Sequence, residues 1–452
     1  MAIPTVSADQ PPAQSLFDRM PPRVALLLLL CLALIVRGRA MLAMAPSLAN
    51  DPDAYRNVAW HIYNDHTIGM WNQEFNMVTP TATRPPLYPL LVSVVHCLDL
   101  PSVEADIALY RLLHVVLGVA SVWAVWRLGQ SWGLPPGGSL LAAGLFTLDP
   151  ILLNQSAQVM TETLATLLGL LALLAITRSA RETSIRWSLA AGALLGLCVL
   201  CRPTFLVWLV AVAAMMLPFR SSGTRRFVRI GALLAAVAAM LAPWAIRNQI
   251  VFGRPVITTT HGGFTLLLAN NPQFYEYLRS APWGSTWDAE QLYRGWEREQ
   301  HLIDTPSGLA VDEVDADRAA YASAWENIRS EPEMFAYACL VRVGRLWGIL
   351  PHQTNRAESA SRRGMRYAVA IWYATELSLA AAGLWALSGK MWRAPWIWGT
   401  LLLASFTVVH AFYWTDLRMR APLVGVVALL AAQGIVLLAS RSRAAKPAQC
   451  ET

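Results

Sequence analysis

The chain has 452 residues, 55% of them hydrophobic and only 14% charged, with a net charge of +7. A soluble domain carries roughly 25% charged residues, so a water-soluble globule and a disordered chain are both excluded. All but Lys390 and Lys446 of the 36 basic residues are arginine, and no basic run interleaves with aromatics as a nucleic-acid platform would.

Residues 1–23 are polar and proline-rich and read as a cytoplasmic tail. Apolar stretches then recur at 24–44, 107–129, 138–153, 159–177, 187–201, 203–218, 229–246, 367–388, 396–414 and 421–439. A spanning helix needs about 20 residues, so these predict about ten spans, within a range of nine to thirteen. The first is expected to be a retained helix and not a signal peptide, because no clean small-x-small site follows it and many later spans do. Cys198 and Cys201 lie inside an apolar run with no histidine nearby, which favours packing over metal or redox chemistry.

The short basic loops at 178–186, 220–229 and 388–393 and the tail at 441–452 fall on one side, which the positive-inside rule makes cytoplasmic. Two long segments, about 45–106 and 248–366, then face outward and hold most of the acidic residues. The expected division is an N-terminal membrane module at 24–246, an outer helical segment at 247–366 and C-terminal membrane helices at 367–440. In the first outer loop, Tyr55, Val58, Ala59 and Ile62 recur at helical spacing, with Asp51 or Asp53 at the helix start. TRPPLYPLLVSVVHCL, which follows, is apolar but too short to span and is expected to lie in the interface. The second segment carries helical patches at about 288–302, 315–330 and 333–350.

Several polar side chains map to the outer ends of these helices. Asp51 and Asp53 suit either a helix cap or a general base. Arg84, Arg202, Arg247, Arg418 and Arg420, and less surely Arg37 and Arg39, sit where the positive-inside rule discourages arginine. An anionic ligand is the simplest cause, since guanidinium forks suit phosphate; snorkelling at the interface is the bland alternative. Glu162 opens an apolar helix on the same side, as an acid facing a cavity or as compensation of the helix dipole. His261, in TTTHGGF, is more simply structural than a metal ligand. Glu376 lies within a predicted span and needs a partner across the bundle.

At these residues the sequence resembles the polyprenyl-phosphate-sugar-dependent glycosyltransferases of the GT-C superfamily, in the family 39-like branch that includes protein O-mannosyltransferases and lipid A aminoarabinose transferases. The resemblance rests on Asp51, Tyr55 and Ala59 of the first loop, RPPLYPLL at 84–91, TETL at 161–164, PWAIRNQIVFG…GG…NNP at 243–272 and, more weakly, RMRAP at 418–422. It implies an all-α, multi-span GT-C bundle with juxtamembrane helices and a small helical outer subdomain. It implies a catalytic base at Asp51, with Asp53 a second acid displaced by Pro52, and a donor-phosphate contact at Arg84. Arg202, Arg247, Arg418 and Arg420 would add to that contact, and Tyr55, Tyr88, Glu162, His261 and Asn270 would line the pocket. RPPLYPLL differs from the EKPPLYY of aminoarabinose transferases, which argues against that substrate.

The implied reaction moves a sugar, with inversion, from a polyprenyl phosphate to an acceptor lipid, glycan or protein on the outer face of a bacterial inner membrane. No cofactor is required on this reading, with a divalent metal on Asp51 and Asp53 as the open alternative. A transporter or flippase of lipid-linked sugars is the rival expectation, since it too needs many spans and a basic cavity. The long asymmetric outer segments and the acidic first loop favour the enzyme.

Overall fold

The computed structural model describes residues 21–444, apart from 45–46, 49, 73–75, 99–101, 218–223, 283–284, 286, 303–311 and 353–357. Of the expected tails, residues 1–20 and 445–452 lie outside the described residues, as do 220–223 of the basic loop, while 22–23 and 441–444 belong to the first and last helices. Every apolar stretch read from the sequence is helical. The long helices are Pro22–Ala43, Val103–Ser131, Glu162–Glu182, Thr224–Phe252, Ala360–Leu387 and Val424–Ala444. Among the described residues six helices are long and apolar enough to cross a membrane, or seven if a bent pair counts as one span. Ile185–Cys201, Phe205–Met216 and Trp396–Phe412 are shorter. The ten stretches are therefore all present as helices, while length and composition qualify six or seven as spans.

Two breaks follow from proline. Pro136–Leu148 and Pro150–Ser156 meet at a 52° bend. Pro150 drives Asp149 out of the helical region, and its carboxylate then caps the second helix by accepting from the Leu152 N–H at 2.8 Å. Pro203 does the same to Arg202, whose extended backbone separates Ile185–Cys201 from Phe205–Met216. That break turns the Arg202 side chain towards the next helix end.

The helices alternate in direction. At one end of the bundle Trp132 packs on Trp396 with ring centroids 4.9 Å apart, and Arg181 donates to the Ser131 carbonyl. At the other end Arg37 donates to Ser156, Arg202 faces Glu162, and Arg420 donates to the Gly348 carbonyl. Both long connecting segments lie at this second, loop-bearing end.

Where Ala360–Leu387 crosses Val424–Ala444, a Cβ on Gly383 would collide with the Leu430 carbonyl and one on Gly434 with that of Leu379. Small residues let apolar helices approach this closely. Replacing Gly383 by leucine should lower the thermal midpoint in detergent, since overpacking costs on the order of 1–3 kcal/mol; an unchanged midpoint would contradict this crossing.

Above the bundle, Tyr55–Asn64 packs on Leu87–His96, and between them Gly69–Asn72 pairs antiparallel with Met77–Pro80. This hairpin has only four residues per strand, too short for its alternation to stand out in the sequence. The second long segment at this end forms a helical subdomain of Gly262–Ala269, Pro272–Ser280, Glu290–Leu302, Glu313–Ser330 and Pro332–Leu346. Gly263 lets the first of these lie against Asp317 and Tyr321, where any Cβ would clash, and its N–H donates to the Asp317 carboxylate at 2.6 Å.

Candidate active site at the loop-bearing end

Asp53, Glu162, Arg84, Arg202 and Arg418 come from widely separated parts of the chain and meet at this end. Arg84 donates through Nε to the Asp53 carbonyl at 2.8 Å and holds the Asp53 carboxylate at 3.4 Å. Arg418 lies 3.6 Å from the same carboxylate, 3.7 Å from Glu162 and 3.1 Å from Asp416. Arg202 faces Glu162 at 3.0 Å. Three guanidinium groups thus balance three carboxylates, and Glu162 is almost wholly buried among them.

Local structure explains each position. Pro85 and Pro86 precede the Leu87–His96 helix and fix Arg84 just before it. Glu162 opens its own helix, where the dipole favours an acid. Arg418 sits in a short 3-10 turn, Leu417–Leu423, whose start is capped by Asp416 accepting from the Arg418 N–H at 2.9 Å.

The guanidinium groups are not fully engaged. Arg418 directs Nη1 at the Met160 sulfur, 2.9 Å away, and Arg202 directs Nη2 at the Met419 sulfur, 2.7 Å away. A thioether is a weak acceptor, so phosphate oxygens could replace these contacts with gain.

Asp51 stands two residues before Asp53 and plays a different part. Its Oδ2 accepts from the Asn57 N–H at 2.9 Å, capping the Tyr55–Asn64 helix, while its buried Oδ1 has no hydrogen-bond partner among the described residues. The cap and the free oxygen belong to one side chain, so the two sequence readings of Asp51 do not exclude each other.

Tyr55 and Tyr88 form the apolar wall below, edge to face with centroids 5.3 Å apart, and Arg84 lies 6.0 Å over the Tyr55 ring. Burial pushes both phenols up, keeping them neutral. The His114 Nδ1–H donates to the Ser156 carbonyl at 2.7 Å, which leaves Nε2 to accept from the Tyr88 hydroxyl at 2.8 Å. His261 is nearby and neutral. Burial, with the Arg84 charge, lowers it from 6.5 to about 4, opposed by Asp53. Without a charge it is a hydrogen-bonding wall and not a cation.

Three expected site residues do not join this cluster. Arg247 donates to the Thr81 carbonyl at 3.0 Å and the Ile68 carbonyl at 2.7 Å, so it fastens the hairpin instead of presenting a free fork. Arg420 is buried against Tyr373, 4.2 Å from its ring centroid, and donates to the Gly348 carbonyl at 3.1 Å. Asn270 is fully buried and donates to the Leu266 and Phe412 carbonyls, each at 2.9 Å. All three tie segments together by satisfying backbone groups.

Glu313 escaped the sequence reading. It accepts from the Ala82 N–H at 2.5 Å, the Thr81 hydroxyl at 2.8 Å and the Thr260 hydroxyl at 3.0 Å. It therefore locks the stretch leading to Arg84 onto the helical subdomain. It lies in the first turn of the Glu313–Ser330 helix, where an acid is also favoured by the helix dipole. Among the described residues no group of three His, Cys, Asp or Glu side chains is gathered as a metal site.

Residues 83–246 match the family described as dolichyl-phosphate-mannose-protein mannosyltransferase. No curated protein matches the sequence. Among solved structures, 97% of the chain superposes on the oligosaccharyltransferase AglB of Archaeoglobus fulgidus, in complex with an inhibitory peptide and a dolichol-phosphate. The TM-score is 0.52 at 15% identity, and the chain spans about half the length of that enzyme, 53%. The same enzyme tethered to an acceptor peptide gives 0.51 at 14% identity, covering 94% of this chain and 51% of that one. ArnT of Cupriavidus metallidurans bound to undecaprenyl phosphate aligns over 92% of this chain and 79% of its own at 14% identity, with a TM-score of 0.39, too loose for inference. The superposition shows that the chain shares its fold with about half of that enzyme, and the family match covers residues 83–246, which include Arg84, Glu162 and Arg202 of the arginine–carboxylate cluster.

Proposed function

We propose that the chain is an inverting glycosyltransferase that takes its sugar from a polyprenyl phosphate at the outer face of a bacterial cytoplasmic membrane. The observation that carries this reading is the convergence of Arg84, Arg202 and Arg418 on Asp53 and Glu162, beside the free oxygen of Asp51. The bond broken runs from the anomeric carbon to a phosphate oxygen, so negative charge grows on a phosphate monoester as the sugar leaves. Preorganised cations at that point lower the barrier.

Arg84 and Arg418 meet Asp53 only loosely, at 3.4 and 3.6 Å. The donor phosphate takes over both guanidinium groups from the Asp53 carboxylate and exchanges one anion for another without adding net cost in charge. Arg202 stays on Glu162 and keeps that buried acid neutralised.

Asp51 is the base. Its Oδ1 accepts the proton of the acceptor hydroxyl or amine while the acceptor atom bonds to the anomeric carbon from the side opposite the departing phosphate. Asp53, engaged by two arginines, is poorly placed for that task. The donor set of the cluster is cation-rich and suits a phosphate better than a divalent metal. On this reading chelation by EDTA leaves turnover unchanged. Reconstitution of the purified protein with a polyprenyl-phosphate sugar tests the proposal: release of polyprenyl phosphate supports it, whereas movement of intact donor across the bilayer without cleavage supports the flippase reading.

A further inference from the structure

A concavity adjoins the Trp414–Asp416 stretch through its lining residue Arg345, which lies against the Trp414 ring. It has a volume of about 640 Å³, lies between Pro272–Ser280, Pro332–Leu346 and the chain at 348–352, and is walled by Tyr277, Tyr337 and Leu350. Arg345 and Arg366 border it. Arg366 is matched by Glu358 at 2.7 Å. Arg345 has no carboxylate within 4 Å among the described residues; it lies between Phe274 and Trp414, 5.4 and 5.6 Å from their ring centroids. The cavity therefore offers a cation that has Tyr277 beside it but no carboxylate in contact among the described residues, in largely apolar surroundings.

Two further observations define what fits. The mouth is apolar: Tyr337, Ile349 and Leu350 line it and are exposed, and Leu340 and Met365, adjacent in the chain to lining residues, are 72% and 67% exposed. Such a rim suits a surface in contact with lipid. Gly344, on the wall, faces open space where a Cβ would touch nothing within 4 Å. The hollow thus reaches the helix backbone. Trp414, against which Arg345 lies, stands two residues before Asp416, which pairs with Arg418 at 3.1 Å, so a short stretch of chain links the cavity to the arginine cluster.

We propose that this cavity seats the acceptor, and that the acceptor is a lipid amphiphile whose anionic group meets Arg345 while its apolar body lies along Tyr277, Tyr337 and Leu350. The assignment rests on the transferase reading above and adds the class of acceptor to it. The acceptor's nucleophilic group then extends past Trp414 towards Asp51 while its anionic group stays anchored.

The test uses the full chain in detergent with lysophosphatidic acid as probe, followed by intrinsic tryptophan fluorescence, since Trp287 and Trp414 pack edge to face with Phe274 beside Arg345. Gly344→Leu fills the hollow without displacing a neighbour, and leucine favours the helix. It should weaken the probe at least tenfold while leaving polyprenyl-phosphate binding intact; Arg84→Gln should show the reverse pattern. Arg345→Gln should also weaken the probe about tenfold and remove its preference over uncharged monoacylglycerol. In membranes given labelled donor, Gly344→Leu should cut label entering lipid-extractable material at least tenfold.

Probe binding equal in wild type and Gly344→Leu would overturn the proposal, as would competition by inorganic phosphate as strong as by the lipid. Label passing into protein or soluble glycan, undiminished in Gly344→Leu, would also overturn it. Probe binding that depends on Gly344, with no labelled product of any kind in wild type, would leave an amphiphile site standing and remove the transferase reading instead.

Discussion

Asp51→Asn should reduce sugar transfer by at least about a thousandfold while the protein still binds polyprenyl phosphate. A general base contributes on the order of 10²–10⁴ in rate, and asparagine removes the proton acceptor without removing the cap, since its side-chain oxygen can still accept from the Asn57 N–H. The helix Tyr55–Asn64 should therefore survive, and the thermal midpoint with it. Asp53→Asn makes the informative contrast. It should retain the chemistry but free Arg84 and Arg418, so donor affinity should rise or hold while kcat falls far less than in Asp51→Asn. If the two variants exchange these behaviours, the base is Asp53 and the free oxygen of Asp51 has another use. Single-turnover kinetics with bound donor distinguish the outcomes, because they separate the chemical step from binding.

The second large effect is expected at the guanidinium groups. Arg84→Gln and Arg418→Gln should each weaken the polyprenyl-phosphate donor by roughly tenfold to a hundredfold, the loss of a charge-assisted contact of about 1.5–3 kcal/mol. The double variant should lose less than the sum, since both act on one phosphate and both otherwise hold Asp53. Arg84→Lys should recover only part of the affinity, because an ammonium cannot grip bidentately or keep the Nε contact to the Asp53 carbonyl. Arg202→Gln should behave differently. It leaves Glu162, with one oxygen already lacking a hydrogen-bond partner, buried without its nearest cation, and the dominant result should be lost stability. Titration of each variant with donor lipid, beside thermal melts, separates these cases. Full additivity in the double variant would contradict a shared phosphate.

The membrane helices were legible because apolar runs in lipid need no partner to declare themselves. One end was legible where proline sets it, at Arg202–Pro203, whereas the similar break at Asp149–Pro150 lies inside the stretch read as 138–153. The clustering of Arg84, Arg202, Arg418 and Glu162 followed from placing helix ends on one side, a consequence of alternating direction.

What the sequence could not separate was one arginine from another. Arg247 and Arg420 occupy the same kind of position as Arg418, and only the folded backbone shows that their donors are spent on carbonyls. The division of labour between Asp51 and Asp53 was hidden for a related reason. It depends on Ala54, whose left-handed backbone, φ 58°, bends the chain between them and the helix. Nothing in the letters DPDAY announces that turn. Glu313 was missed because its three donors come from residues 81, 82 and 260, more than fifty positions away in the chain.

The central claim is that the donor phosphate replaces the Asp53 carboxylate on Arg84 and Arg418. A structure determined with polyprenyl phosphate bound tests it most directly. The phosphate oxygens should lie about 2.7–2.9 Å from guanidinium nitrogens of both arginines, with Asp53 turned away and Asp51 left facing the sugar's side of the cavity. A phosphate seated elsewhere, with the Asp53 pairs to Arg84 and Arg418 intact, would contradict the account.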